Sequence, residues 1–116
     1  MKKNIESIGS VLDVFEQASI QHTMATENGD FKTGNKAYKS IATSINWLKE
    51  KGEIDRLLPF LNHTVDGVRV WAASFLIHTH ETRAVMVLEN ISTGTNIIAF
   101  NAKMTLEEWE KGNLKS

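Results

Sequence analysis

His78 and His80 stand on either side of Thr79, and their type and spacing come nearest in this chain to a metal site. Two imidazoles one residue apart can reach a single cation, but zinc takes three or four protein ligands. Glu81 is the nearest candidate for a third ligand, and the chain contains no cysteine. The pair therefore reads as part of a polar turn between helices, and neither a metal nor any other cofactor is expected. A metal-dependent protein built on His78 and His80 is the lesser alternative. Lack of cysteine also removes disulfides, iron–sulfur clusters and thiol nucleophiles.

Glu107, Glu108 and Glu110 form the densest acidic run. General acid–base work needs carboxylates held at a set separation in a desolvated cleft. Neighbouring glutamates on one helix point in different directions into water. His22 and His63 are isolated and read as surface or capping residues. The chain has no Gly-x-Ser-x-Gly, no His-Glu-x-x-His and no glycine-rich phosphate loop. No catalytic residue is assigned, and the protein is expected not to be an enzyme.

Lys32, Lys36 and Lys39 recur at i, i+4 and i+7 and so share one face of a helix. Such a face can grip an acidic partner or phosphates. With no aromatic expected among the lysines to stack a base, nucleic-acid binding is the alternative rather than the first reading. Trp47 falls off the apolar stripe of the same helix and is the aromatic best placed to anchor a partner. Arg69 either pairs with an acid on an adjacent helix or stays exposed. Lys32, Lys36, Lys39, Trp47 and Arg69 are accordingly the candidate partner-binding residues.

Composition agrees with a binding role. The 13 basic and 14 acidic residues leave a net charge of -1, without the positive excess that nucleic-acid binders usually carry. Hydrophobic residues make up 41% and charged residues 23%, enough apolar material for a core without a metal. Met1-Lys2-Lys3 is followed by Glu6, Gly9, Ser10, Asp13 and Glu16, so no signal peptide is read there. The apolar run 68–77 is broken by Arg69 and Ser74 and is too short for a membrane span. The cytoplasm is the expected compartment, and the sequons at Asn62 and Asn90 are read as chance matches.

The elements that position these residues are helical. Period-3.6 patterns fill the chain, and one proline and seven glycines punctuate it. A first helix is expected over 5–23, capped by Asn4, with a turn over 27–30 in which Asp30 caps the next helix. That second helix has Phe31, Gly34, Tyr38, Ile41, Ile45 and Leu48 as its packing stripe and Gly52 beyond its end. A short helix over 54–61 carries Pro59, which must shorten, kink or restart it. Helices over 66–77 and around 84–91 follow. The last has Ile98, Ala102, Thr105, Leu106 and Trp109 on one side and ends at Gly112. Trp71 and Trp109 fall on core stripes and are expected to be packing residues, and Asn101, among apolar neighbours, to tie the preceding turn.

Leu57-Leu58-Pro59-Phe60-Leu61-Asn62-His63 followed by Val68-Arg69-Val70-Trp71-Ala72-Ala73 resembles a HEAT repeat. Where such repeats usually place an aspartate ahead of the valine, this chain has His63. Residues 35–38, 69–73 and the tail Phe100-Asn101-Ala102-Lys103-Met104-Thr105-Leu106-Glu107-Glu108-Trp109 with Gly112 resemble a bacterial all-helical family catalogued as a domain of unknown function. The resemblance implies an all-α, HEAT/armadillo-like stack of about six short antiparallel helices in a single domain over 1–116. Some small HEAT-like proteins neutralise toxins as immunity partners. The expectation is thus a non-enzymatic protein-interaction module, an immunity-type antidote being one form of it.

Overall fold

A helix leaves its last carbonyls without intrahelical partners, and this chain resolves that need at Gly29. There φ is 70°, a left-handed conformation that glycine adopts without a Cβ penalty. The Gly29 N–H then donates back to Thr26 O at 3.4 Å and the Asp30 N–H to Ala25 O at 2.9 Å. These two bonds are a Schellman closure of the first helix. Asp30 at once opens the second, its carboxylate accepting from the Thr33 N–H at 3.1 Å. One turn therefore ends one helix and starts the next.

A computed structural model describes residues 7–114. The elements are α1 (Ile8–Asn28), α2 (Phe31–Glu50), a 3-10 segment (Ile54–Asn62), α3 (Asp66–Leu76), α4 (Glu81–Ser92) and α5 (Ile97–Glu110). No strand occurs among the described residues. The chain divides into two compact units, Met1–Leu57 and Leu58–Ser116.

In the first unit α1 and α2 pack against each other, and the two-residue turn between them makes the pair antiparallel. α1 begins at Ile8 and reaches Asn28, longer at its C-terminal end than the apolar pattern predicts. Its N-cap is Ser7: Ser10 N–H donates to Ser7 Oγ at 3.2 Å, and Ser7 N–H donates to Ser10 Oγ at 3.0 Å. Asn4, the cap expected from the sequence, and Ile5 lie outside the described residues. Val11, Phe15 and Ala18 are buried on α1, and Ala37, Ile41, Ile45 and Leu48 on α2. Hydroxyls share this interior by bonding within their own helix, Thr23 to Ser19 O at 2.8 Å and Ser44 to Ser40 O at 2.9 Å.

The boundary of the units falls inside the 3-10 segment. Pro59 leaves that run unbroken, where the sequence offers a short, kinked or restarted helix. Tighter winding shifts the acceptor to the third residue back, and His63 N–H closes the end on Phe60 O at 3.1 Å. His63 Nδ1 then accepts from Val65 N–H at 3.0 Å, which shapes the turn into α3.

In the second unit α3 packs on α4, α4 on α5, and α3 on α5. Val68, Ala72, Ala73, Leu76, Ala84, Leu88, Ile98 and Ala102 supply the buried faces. Small residues dominate α3 and α5 here, which lets the helix axes approach. Asn96 caps α5 by accepting from Ala99 N–H at 2.8 Å.

Trp71 and Trp109 are half-buried rather than enclosed in the core. Trp71 stacks on Phe75, with ring centroids 6.0 Å apart and 17° between planes. Trp109 meets the His78 ring edge-on at 5.3 Å, and its indole N–H donates to Glu81 Oε2 at 3.1 Å. It thereby pins the end of α5 to the turn between α3 and α4. An exposed edge reduces what truncation removes. Trp109→Ala is expected to cost about 2 kcal/mol, below the 3–5 kcal/mol of enclosed aromatics. Trp109→Phe, which keeps an aromatic ring but loses the N–H bond, should cost about 1 kcal/mol. Urea unfolding of the two variants measures both, and a Trp109→Phe chain as stable as the native one would remove the hydrogen bond from the account.

Among the described residues, His22 and Asp30 make stability depend on pH. Burial holds the His22 imidazole below its ordinary value of 6.5. The unfolded chain therefore takes up that proton first, and stability falls as pH drops from 6.5 toward the lower folded value. The bonds from Thr33 hold the Asp30 carboxyl below its ordinary 3.8, so its contribution persists above 3.8 and disappears as pH falls through the lower folded value. Melting temperature followed downward in pH should decline first near His22's range. His22→Gln should abolish that first decline and keep the one at lower pH.

Candidate functional site

α2 presents its candidate residues according to which of its sides α1 takes. Ala37, Ile41, Ser44, Ile45 and Leu48 are buried and recur at three and four, so they mark the inward side. Phe31 and Tyr38, placed on the packing stripe by the sequence pattern, are not part of it: Phe31 is 83% and Tyr38 53% exposed. The cause is the closeness of the helices near their turn. A Cβ on Gly34 would already meet Ala25 Cβ at 3.7 Å. Small residues fill that space and the aromatic rings are turned outward.

Lys32, Lys36 and Lys39 are all exposed and share the outer side of α2. Trp47 returns to this side about three turns beyond Lys36. It is half-buried, and Lys51 Nζ stands 5.6 Å from its ring centroid, within cation–π range. Its ring is thus already engaged by a charge of its own chain. Phe31 and Tyr38 border the lysines along the same two turns, at about a quarter turn around the helix. No aromatic interleaves with the lysines themselves; the two exposed rings stand about 100° around the helix from Lys32 and Lys39. Two aromatics flank them, and both were hidden from the sequence reading by being placed in the core. The visible signal was the spacing 37–41–44–48, which defines a packing side without needing either ring.

Arg69 lies in the other unit, on α3, and is half-buried. Its guanidinium Nη2 donates to Asp66 Oδ1 one turn back on the same helix, rather than to an acid on an adjacent helix. Its Nε is buried without a hydrogen-bond partner among the described residues. The structure joins Lys32, Lys36, Lys39 and Trp47 on one helix, and it places Arg69 on a different element of a different unit. Asn101 is half-buried in α5, where its carbonyl accepts from the Thr105 hydroxyl at 2.9 Å.

His78 and His80 are separated by their surroundings. His78 packs its ring on Trp109, and His80 occupies the N-cap position of α4. Among the described residues no group of three or more His, Asp or Glu side chains stands where it could hold a metal ion. No described helix is long and apolar enough to cross a membrane. Glu107, Glu108 and Glu110 lie on the last turns of α5, the last of them exposed.

This geometry predicts that equilibrium dialysis against zinc retains no stoichiometric metal. One equivalent retained by the native chain and lost from the His78→Ala/His80→Ala protein would assign a metal to the pair after all. No protein-family model, curated protein or solved structure matches the chain.

Proposed function

We propose that this chain is a non-enzymatic, cytoplasmic protein-interaction module that holds an acidic protein partner on the outer side of α2. The observation that carries the reading is the exposure of Phe31 and Tyr38 beside Lys32, Lys36 and Lys39. Aromatic rings supply contact area at low entropic cost, and they are enriched where interfaces concentrate their binding energy. Lysines around them set association rate and salt dependence more than affinity. The face belongs to one helix and is convex, a shape suited to docking rather than to enclosing a substrate. An antidote that occupies an acidic toxin surface would use such a face.

The same reading includes the HEAT-like stacking that residues 57–73 resemble. It is supported by helices that follow one another through short turns, α1 with α2 and α3 with α4. His63 takes the position of the usual aspartate and performs a local version of its task, accepting from Val65 N–H.

A second reading has a specific observation in its favour. Lysines bordered by two exposed aromatics also suit single-stranded nucleic acid, in which bases stack and phosphates pair with the cations. The balanced net charge of -1 places it second.

Affinity capture from the source cell, with the native chain and with a Lys32→Glu/Lys36→Glu/Lys39→Glu variant, separates the two. A protein captured by the native chain, lost on charge reversal and weakened about 30-fold by Phe31→Ser fits the first reading. Salt-sensitive capture of nucleic acid by the native chain alone would establish the second. An identical set of captured molecules from both chains would remove the lysine face as the binding surface.

A further inference from the structure

α5 is apolar on two opposite sides. Its inner side buries Ile98, Ala99 and Ala102. Ile97, Phe100 and Met104 recur at i, i+3 and i+7, within about 60° of arc, and face away from that side. They remain 47%, 59% and 39% exposed. A helix that is apolar all round is ordinarily covered all round, and a contiguous apolar stripe on a surface marks a contact site.

We propose that this stripe is the seam of a two-fold symmetric dimer, in which α5 packs antiparallel on α5 of a second copy of the chain. The stripe is self-complementary about its own centre. Reversing it brings Ile97 level with the second copy's Met104 and leaves the two Phe100 rings beside the axis. Asn101 comes near the axis at the edge of the seam, where an amide can both donate to and accept from its twin.

Charge selects the direction. α5 carries Glu107, Glu108 and Glu110 near its C-terminal end and Lys103 as its one basic residue. In the antiparallel pair Glu107 and Glu108 reach the level just before Ile97 of the other copy. There Asn96 opens the helix, and the unpaired N–H groups give it partial positive charge. A parallel pair would set the two glutamate runs side by side. A head-to-tail contact with another surface would not close on itself, whereas an isologous one ends at two copies. Three side chains per copy bury less than the roughly 800 Å² per partner of standard stable interfaces, so the dimer is expected to be reversible and concentration-dependent. This dimer is independent of the lysine face on α2, and either can fail alone.

Sedimentation velocity of the full chain from micromolar to millimolar concentration tests it. The native mass should rise from monomer toward dimer. Phe100→Glu should raise the dissociation constant about 30-fold or more, as loss of a central aromatic does. Met104→Glu should act in the same direction, both variants keeping native helical circular dichroism. Met86→Glu, on the exposed side of α4, should dimerise like the native chain.

Because the chain has no cysteine, direction is read by cross-linking. Mixed Ile97→Cys and Met104→Cys proteins should form the disulfide between them. Each alone should not, since its two sulfur-bearing positions would be about 10 Å apart along the seam. A native chain that stays monomeric overturns the proposal. So does a dimer indifferent to Phe100→Glu and Met104→Glu, or cross-linking of each cysteine variant with itself in place of the mixed pair.

Discussion

A helix must find partners for the carbonyl groups of its last turn, and this need governs how the chain is laid out. At Gly29, Gly52 and Gly112 φ is 70°, 66° and 75°, and each time the following N–H reaches back to the residue five earlier. Asp30 bonds Ala25 O at 2.9 Å, Glu53 bonds Leu48 O at 2.8 Å, and Asn113 bonds Glu108 O at 2.9 Å. The repeated geometry turns the chain off α1, α2 and α5 in the same way. At the first of these turns Asp30 also caps α2, so the rotational phase of α2 is tied to the end of α1. From that phase follows which residues of α2 meet α1 and which meet solvent.

Close approach near that turn goes with Phe31 and Tyr38 standing outside the interior that Phe15, Ile41, Ile45 and Leu48 fill farther along. Ala25 faces Gly34, and Ala37 and Ser44 continue the narrow seam. Interaxial distance follows the size of the side chains between helices: at the turn Gly34 meets Ala25, whereas farther along Phe15, Ile41, Ile45 and Leu48 are buried. Phe31 and Tyr38 stand outside the buried side, next to its edge. The face proposed for binding is in this sense a by-product of tight packing on the other side of the same helix.

The second unit shows the complementary case. Its α5 lays Ile98, Ala99 and Ala102 against α3 and α4 and adds one polar clasp, Trp109 to Glu81, with His78 against the indole. The inner side is Ile98 with two alanines, and three more large apolar residues stand on the other. Ile97, Phe100 and Met104 are those residues. A symmetric pairing would cover them without any residue beyond those the chain already carries.

The sequence by itself determined the helical class, most of the helix ends and the cap at Asp30, because these depend on local periodicity, glycine placement and side-chain bonds across three or four residues. It also determined that Lys32, Lys36 and Lys39 share a side, since i, i+4, i+7 is a property of any helix. Only the tertiary structure decided which apolar residues are buried. Phe31, Tyr38, Ile97, Phe100 and Met104 have the residue types of a core, and periodicity cannot distinguish two apolar sides of one helix. What separates them is which side of each helix its neighbours cover, decided by contacts between elements. Likewise the pairing of Trp109 with Glu81 joins positions 28 residues apart, beyond any local pattern.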